Sequence, residues 1–315
     1  MKEFQLINVE TIGQAVKTMA EFSGKAVFMA GGTDLLGGLK REIHPQYPDA
    51  VVNLSRLKGL EYILEEDGFL KIGALTRLKD VAKKLLIKEK YTALAQAAAR
   101  TASPTLRQMG TIGGNICQEN RCWYYRAREN YFPCRMKGGK VCYAPKGDHR
   151  NHSIFGALGG CFAVNPSDTA PALVAFKAEI VTTQRTIAAD DFFTAVTENC
   201  TVLEKGEVVL EIKLPQAQTQ SIFAKHALRP TIDFPIVNCA VVKSMRGVSI
   251  CLNAVAPTPH RAVAAEEIIG DKPITAELAA EAAEAGLAKA KALPQNKHKI
   301  QIAQTMLKRA LLAVS

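Results

Sequence analysis

The chain has 315 residues, 48% of them hydrophobic, with a mean hydropathy of +0.00 and a net charge of +10. This length allows two or three domains with cores of their own, and the composition is that of an ordinary globular protein. No apolar run is long enough to predict a membrane span, and the N-terminus lacks the basic and apolar regions of a signal peptide. We therefore expect a cytoplasmic protein without a membrane partner.

The N-terminal part of the chain predicts a helix and then a strand that ends in a glycine-rich turn. Thr11 is a suitable cap for a helix with Ile12 and Val16 on its apolar face. The strand at 25–30 leads into Gly31-Gly32-Thr33-Asp34-Leu35. Glycines let backbone N–H groups converge on phosphate oxygens in such a turn, because no Cβ holds the ligand off. The spacing matches neither G-x-G-x-x-G nor a P-loop, so a tight turn without a ligand is the simpler interpretation of this motif alone.

Strands and helices alternate through the middle of the chain. The apolar runs 60–64 and 69–72 flank an acidic turn and predict a hairpin. Helices are expected after Thr76 and over about 91–100, and regular structure resumes at 172–176. This alternation indicates an α+β or α/β fold with more than one small subdomain.

The last third of the chain begins with a strand at 208–214, and the polar run 216–220 after it is typical of a domain junction. Three more strands are expected, near 222–228, 236–243 and 247–254. Three helices are expected to close the chain: one after Pro259, one at about 275–291 and one at about 298–313.

A second glycine turn, 110–116, and an acidic turn, 165–171, flank a segment of different composition. Its residues 121–150 include eight Lys and Arg against two carboxylates, and so account for six of the ten net positive charges. A basic patch is one signature of nucleic-acid binding. No nucleic-acid motif accompanies it, and we expect no such partner. The charge would also suit an anionic metal cluster or an acidic protein.

Five of the eight cysteines lie in or beside this segment, at positions 117, 122, 134, 142 and 161. The cysteines with apolar sequence neighbours are interpreted as core residues: Cys117, Cys200, Cys239 and Cys251. In a reducing cytoplasm, metal ligation explains the others better than disulfides do. The intervals of eleven, seven and eighteen residues contain no C-x-x-C pair, and His149 and His152 lie nearby. Spacing alone therefore leaves zinc, an iron–sulfur cluster and no metal open.

Taken in order, these turns resemble those of the FAD-binding subunits of molybdenum hydroxylases, a family that includes the medium subunit of carbon monoxide dehydrogenase. Four segments resemble the two flavin loops, the I-G-A-x-T strand end and the S-D-x-x-P turn: 30–35, 111–116, 72–76 and 167–171. In the last third, Lys225, Arg229 and Asp233 match K-x-x-x-R-x-x-x-D, and 255–262 matches V-A-P-T-P-x-R-A. The resemblance covers essentially the whole chain.

The resemblance implies an α+β fold. A two-subdomain FAD-binding domain of the vanillyl-alcohol-oxidase/PCMH type would precede an α/β C-terminal domain with a three-stranded sheet and helices. The two domains would span 1–218 and 219–315. The first would divide into subdomains at about 1–55 and 56–218, with an insertion at about 118–162.

The resemblance also implies the residues that would hold FAD. Asp168 would hydrogen-bond the dinucleotide, Lys225 would reach the flavin and Val209 would line the pocket. Backbone amides of the two glycine turns would surround the pyrophosphate, namely those of Met29, Ala30, Gly31, Gly32, Thr33, Asp34, Leu35, Thr111, Ile112, Gly113, Gly114 and Asn115. Such turns supply N–H donors to a dianion without basic side chains. The simpler alternatives are a surface lysine at 225 and a ligand-free turn at 168.

The insertion departs from most of the family and resembles the branch typified by the flavin subunit of 4-hydroxybenzoyl-CoA reductase. That branch has an R-C-x-Y-Y start, which residues 121–125 match, and its loop holds an additional [4Fe–4S] cluster. On this pattern the ligands would be Cys122, Cys134, Cys142 and Cys161, close to the flavin because the loop joins two flavin turns.

The implied function is electron transfer, because FAD takes up two electrons and can release them singly. The subunit would connect a molybdenum cofactor on a large subunit and [2Fe–2S] clusters on a small subunit to an external carrier such as ferredoxin or NAD. No residue of the chain is then expected to act on the organic substrate. The alternatives are a free-standing NAD(P)H-dependent flavin oxidoreductase, with a structural zinc or no metal, and a metal-stabilised nucleic-acid-binding protein.

Overall fold

In the part of the chain that the structure describes, three β-sheets follow one another, each packed against helices. The structure is a computed structural model and describes residues 1–196, 200–216, 219–229, 232–245 and 247–315. The α+β architecture expected from the sequence is confirmed by these residues. Residues 217 and 218, at the expected domain junction, lie outside the described residues, and the predicted domain ranges stay predictions.

The first sheet is parallel, with the strand order β1-β3-β2. Its strands are β1 (Gln5–Asn8), β2 (Ala26–Met29) and β3 (Ala50–Asn53). Thr11 is the N-cap of helix α1 (Ile12–Glu21), as predicted from the sequence. It forms a reciprocal capping box with Gln14. Strand β2 ends at the first glycine turn, and α2 (Leu35–Arg41) follows it directly. The turn therefore lies at the carboxyl end of a parallel strand, the usual ligand-binding edge of such sheets.

The second sheet is antiparallel, with the strand order β4-β5-β8-β6-β7. Its strands are β4 (Ile63–Glu66), β5 (Phe69–Gly73), β6 (Glu179–Thr182), β7 (Thr186–Ala188) and β8 (Val209–Pro215). Its helices are α3 (Leu78–Lys83), α4 (Leu85–Lys90), α5 (Thr92–Arg100), α6 (Pro104–Met109), α7 (Ile112–Ile116), α8 (Thr169–Ala175) and α9 (Ala189–Phe192). The predicted hairpin is β4 and β5, and the sheet forms a core with α3, α5 and α8.

The third sheet is antiparallel, with the strand order β12-β11-β10-β9. Its strands are β9 (Thr219–His226), β10 (Val237–Ser244), β11 (Gly247–Asn253) and β12 (His260–Arg261). Its helices are α10 (Val263–Ile269), α11 (Ala276–Leu287) and α12 (His298–Leu312). The expectation of three strands is corrected to four, because two-residue β12 is too short to show an alternating pattern. Among the described helices, none is long and apolar enough to cross a membrane.

The insertion has no α-helix or β-strand between residues 118 and 162, all of which are described. It folds through three 3-10 turns and isolated bridges, among them one between Cys134 and Val141. Its apolar side chains, including Tyr125 and Met136, form a small core of their own with Ile43. The insertion is thus a compact unit held by packing and side-chain contacts rather than by a sheet.

Candidate functional site

A cavity of about 300 Å³ lies where the three sheet units meet. Its wall includes α6 and the 232–234 loop of the C-terminal unit. Most of the predicted FAD residues line it: Met29, Ala30, Gly31, Gly32, Thr33, Asp34, Leu35, Thr111, Gly114, Asn115 and Asp168. Four others do not appear in its wall, namely Ile112, Gly113, Val209 and Lys225. The structure therefore brings together both glycine turns and the acidic turn.

The first glycine turn leaves backbone donors free. Gly32 has a φ of +68°, and a Cβ at Gly31 would lie 2.0 Å from the carbonyl oxygen of Met109. Within the described residues, the N–H groups of Gly31, Gly32, Thr33 and Asp34 find no protein acceptor. Free amides that converge at the end of a strand form a phosphate-binding arrangement.

The second glycine turn is fixed against the end of β5. The N–H of Ile112 donates to Thr76 O at 2.9 Å, and the N–H of Gly113 donates to Ala74 O, also at 2.9 Å. These bonds hold the turn against the 72–76 strand end that the sequence analysis singled out. They also direct Ile112, which is fully buried, into the core of the second sheet and away from the cavity.

Asn115 joins the second glycine turn to the acidic turn. Its Oδ1 accepts hydrogen bonds from Ser167 Oγ at 2.6 Å and from Thr169 Oγ1 at 2.7 Å. Asn253 of β11 donates to Ser167 O at 2.7 Å, which ties the same turn to the C-terminal sheet. The two turns are distant in sequence but form one buried hydrogen-bonded unit.

Asp168 and Lys225 form a buried ion pair beside the cavity. The carboxylate Oδ2 lies 2.7 Å from Lys225 Nζ, and the two side chains are only 3% and 2% exposed. Asn238 donates to Asp168 Oδ1 at 2.8 Å, and Lys225 Nζ donates to Arg100 O at 3.0 Å. Burial raises the pKa of Asp168, against the opposing effect of Lys225 and Asn238.

Two of the predicted flavin contacts are therefore placed away from the cavity wall. Lys225 is directed at Asp168, and Val209 is buried in the core of the second sheet. Their contacts with the flavin stay predictions. In the sequence analysis, Asp168 and Lys225 are each expected to meet the ligand, whereas in the structure they meet one another.

A side-chain network that the sequence analysis missed connects the first glycine turn to the insertion. Asp34 Oδ1 accepts from Arg121 Nη2 at 2.9 Å and from Arg126 Nη2 at 2.6 Å. Burial acts to raise the pKa of Asp34, but the two guanidinium groups outweigh it and lower that pKa below its usual value. The arginines belong to the basic segment whose charge is expected to suit an anionic metal cluster or an acidic protein. No local signal marks a carboxylate 87 residues away as the partner of Arg121.

A larger cavity, of about 930 Å³, shares wall residues with the first, including Asp34, Arg121 and Phe234. The guanidinium carbon of Arg121 lies 4.2 Å from the centroid of the Phe234 ring, a cation–π contact across this space. Cys122 and Trp123 also line it. The first predicted cluster ligand thus faces open space that adjoins the first cavity.

The four predicted cysteine ligands lie near one another. Cys122, Cys134 and Cys161 belong to one packed cluster, and burial raises the pKa of each of these thiols. Cys142 interacts electrostatically with Cys134 and with Cys161, and adds to the rise in their pKa values. His152 Nε2 lies 3.2 Å from Cys122 Sγ. The insertion thus gathers the four thiols that the resemblance selects.

Two further findings concern metal ligands in the described part of the chain. No group of three or more His, Cys, Asp or Glu residues there is arranged to hold a single metal ion. Cys200, interpreted from the sequence as a core residue, is buried in the same cluster as Cys134 and Cys161. Its Sγ accepts a hydrogen bond from the N–H of Asn120 at 3.2 Å.

Two family models match the chain in succession. The first, described as "FAD binding domain in molybdopterin dehydrogenase", matches residues 2–217. The second, "CO dehydrogenase flavoprotein C-terminal domain", matches residues 223–314. The chain belongs to the family of FAD-binding subunits of molybdenum hydroxylases. This confirms the family resemblance and the expected fold class, and identifies the chain as an oxidoreductase subunit.

Two relatives and one solved structure match this flavin subunit over most of their length. The aldehyde oxidoreductase FAD-binding subunit PaoB of Escherichia coli is 32% identical over 84% of this chain and 86% of its own. The carbon monoxide dehydrogenase medium chain of Hydrogenophaga pseudoflava is 28% identical over 96% and 94%. A solved structure of carbon monoxide dehydrogenase from that organism has a TM-score of 0.76 over 99% of this chain and 97% of its own, at 28% identity.

Proposed function

We propose that this flavin subunit passes electrons within a molybdenum-containing hydroxylase or dehydrogenase complex, and that its insertion holds a [4Fe–4S] cluster beside the flavin. The observation that supports this function best is the joint arrangement of the two glycine turns and the insertion. The free amides of the first turn line one cavity, and Cys122 lines the cavity that adjoins it. A flavin and a cluster held there would be neighbours.

The residues around the first cavity fit the FAD pyrophosphate. The amides of 31–34 supply donors, and Thr111, Gly114 and Asn115 of the second turn also line the cavity. Four carboxylates also line this cavity, and each has a cationic partner. Asp34 pairs with Arg121 and Arg126, Glu119 with Arg126, Asp168 with Lys225, and Asp233 with Arg229. A dianion can therefore bind without meeting an unpaired negative charge. The bound FAD would supply two-electron uptake and one-electron release.

The thiols of the insertion and a nearby cation support the proposal of a thiolate-ligated cluster. Cys122, Cys134 and Cys161 belong to one packed cluster, and metal binding would replace their thiol protons. The Lys137 ammonium, itself buried, interacts electrostatically with Cys134 and Cys122 and would offset the negative charge of such a cluster. Cys122, Cys134, Cys142 and Cys161 would hold it.

The other redox groups are assigned to partner subunits. Relatives are named as medium chains or FAD-binding subunits, which supports a large subunit with the molybdenum cofactor and a small subunit with [2Fe–2S] clusters. The insertion also presents exposed cations that have no carboxylate partner among the described residues: Arg128, Arg135, Lys140 and Lys146. Together with exposed Val141, next to Cys142, they would suit an acidic one-electron carrier such as ferredoxin.

Metal and flavin content of the anaerobically purified complex tests the proposal. We expect FAD, and about four iron ions per chain in addition to those of the small subunit, with a matching EPR signal after reduction. Cys134→Ser should remove the additional iron and leave the FAD. Cys239→Ala is the control, because it removes a buried thiol in β10 of the C-terminal sheet.

Four results would count against the proposal. Stoichiometric zinc, or unchanged iron in Cys134→Ser, would contradict the cluster. A complex without FAD would contradict the flavin site. Steady-state oxidation of NAD(P)H by the chain in the absence of any partner would favour the free-standing flavin oxidoreductase.

A further inference from the structure

Asp34 belongs to the first glycine turn, yet its side chain is bound entirely by the insertion. Oδ1 accepts from the guanidinium groups of Arg121 and Arg126, and Oδ2 accepts from the N–H of Glu119 at 3.0 Å. Arg121 directly precedes Cys122, and the N–H of Arg126 donates to Cys122 O at 3.1 Å. One carboxylate therefore holds the chain on both sides of the first predicted cluster ligand.

A second anchor lies at the other end of α2, the helix that begins directly after Asp34. The imidazole Nε2 of His44 lies 2.6 Å from Glu119 Oε1. The buried ammonium of Lys137 donates to Ile43 O at 3.2 Å. The glycine turn, α2 and the residues after it thus form one support for the insertion, with Asp34 at the end next to the flavin cavity.

The charges of this network are balanced and partly shielded from solvent. Arg126 Nη2 also lies 3.6 Å from Glu119 Oε2, so two guanidinium groups face two carboxylates. The side chains of Asp34, Arg121 and Arg126 are 17–22% exposed. Ion pairs in such surroundings are screened less by salt than exposed pairs are. Removal of one member leaves a partly buried charge without its partner, which is strongly unfavourable.

We propose that Asp34 is a positioning residue that couples FAD binding to the folding of the cysteine-bearing insertion. Its backbone belongs to the turn that meets the pyrophosphate, and its side chain holds the start of the insertion. An anchored insertion keeps the turn in its binding conformation, and by linkage bound FAD stabilises the anchored insertion by the same factor. This inference rests on the proposed function only for the identity of the two bound groups, FAD and the [4Fe–4S] cluster.

The coupling can be measured in the purified complex through FAD affinity and amide hydrogen exchange of residues 119–131. Asp34→Asn keeps the shape of the side chain and removes its charge. We expect the FAD dissociation constant to rise about tenfold and exchange at 119–131 to accelerate by a similar factor. Arg126→Gln should change both quantities in the same direction. Arg126→Lys keeps the positive charge, so its FAD affinity and exchange rate should stay close to those of the wild type. Asp148→Asn is the matched control, because it breaks an exposed pair with Arg150 inside the insertion and should change neither quantity.

The double variant Asp34→Asn/Arg126→Gln makes the test quantitative. It should be no worse than either single variant, because both remove the same interaction. Additive effects, or weaker FAD binding with unchanged exchange at 119–131, would overturn the coupling. General unfolding of Asp34→Asn would appear as faster exchange in β5 and β8. In that case the comparison of FAD affinity and of exchange at 119–131 between Arg126→Gln and Arg126→Lys tests the coupling.

The outcome for the coupling is separable from the outcome for the proposed function. A wild-type complex without FAD or additional iron would contradict the proposed function. Exchange at 119–131 in Asp34→Asn, compared with Asp148→Asn, would still show whether this carboxylate anchors the insertion. Equal exchange in those two variants would refute the anchor itself.

Discussion

At the scale of single residues, the first glycine turn needs glycine for two different reasons. Gly32 has a positive φ of +68°, which side chains rarely adopt. At Gly31 the space for a Cβ is taken by the carbonyl of Met109, at 2.0 Å. The turn itself is recognisable in the sequence, and glycine is expected there because a Cβ would hold a ligand off. The actual neighbour of Gly31 is backbone from α6, a contact that no local pattern could reveal.

The substitution Gly31→Ala tests this packing. The added methyl group must push the turn away from α6, and such overpacking destabilises proteins by about 1–3 kcal/mol. We expect a lower melting temperature and a loss of bound FAD, measured by thermal unfolding and by flavin absorbance. Gly13→Ala in α1 is the control, because nothing lies within 4 Å of its added Cβ and alanine favours helix. Full FAD content and an unchanged melting temperature in Gly31→Ala would contradict the packing argument.

At the scale of secondary-structure elements, long periodic segments were predictable and the insertion was not. The apolar spacing of Ile302, Met306 and Ala310 indicates α12, and the acidic turn at 65–68 indicates the β4–β5 hairpin. The insertion has no repeating hydrophobic period that would predict a helix or a strand. Its fold depends instead on contacts with residues that are distant in the sequence. Asp34 holds its beginning, and the segment that leads into α12 holds its end, where Asn296 donates to the carbonyls of His152 and Ser153.

Lys299 of α12 is expected to contribute most to that second contact. It is fully buried, and its Nζ donates to three carbonyl oxygens, those of Asn151 at 3.2 Å, His152 at 3.1 Å and Ala254 at 2.5 Å. Lys299→Met keeps the length of the side chain but leaves these carbonyls without a donor, at a cost of about 1–3 kcal/mol. Urea unfolding and hydrogen exchange at 149–154 would measure this. Lys297→Met, at an exposed position of the same helix end, should have little effect. Equal unfolding free energies for the two variants would show that the contact is not stabilising.

At the scale of the whole molecule, the first cavity is completed by contacts between the two regions that the family models match. The acidic turn receives Asn115 from one side and three C-terminal side chains from the other: Lys225, Asn238 and Asn253. The motifs on both sides are recognisable in the sequence, and most of the cavity wall is predictable from them. The pairing of Asp168 with Lys225 was not predictable. A motif indicates which residue type occupies a turn or strand, but not the direction of its side chain.

A double-mutant cycle on Asp168 and Lys225 tests whether this ion pair joins the C-terminal sheet to the first cavity. Asp168→Asn leaves the ammonium of Lys225 buried without a counter-ion, and breaking a buried pair in this way costs about 3–5 kcal/mol. Lys225→Met leaves the carboxylate unpaired in the same surroundings. The double variant removes both charges, so it should recover part of the stability that either single variant loses. Denaturant unfolding gives the coupling energy, and flavin content in the same samples shows whether the acidic turn keeps its place. If the two losses simply add, the pair is incidental, and the hydrogen bonds of Asn115 and Asn253 alone hold the turn between the two regions.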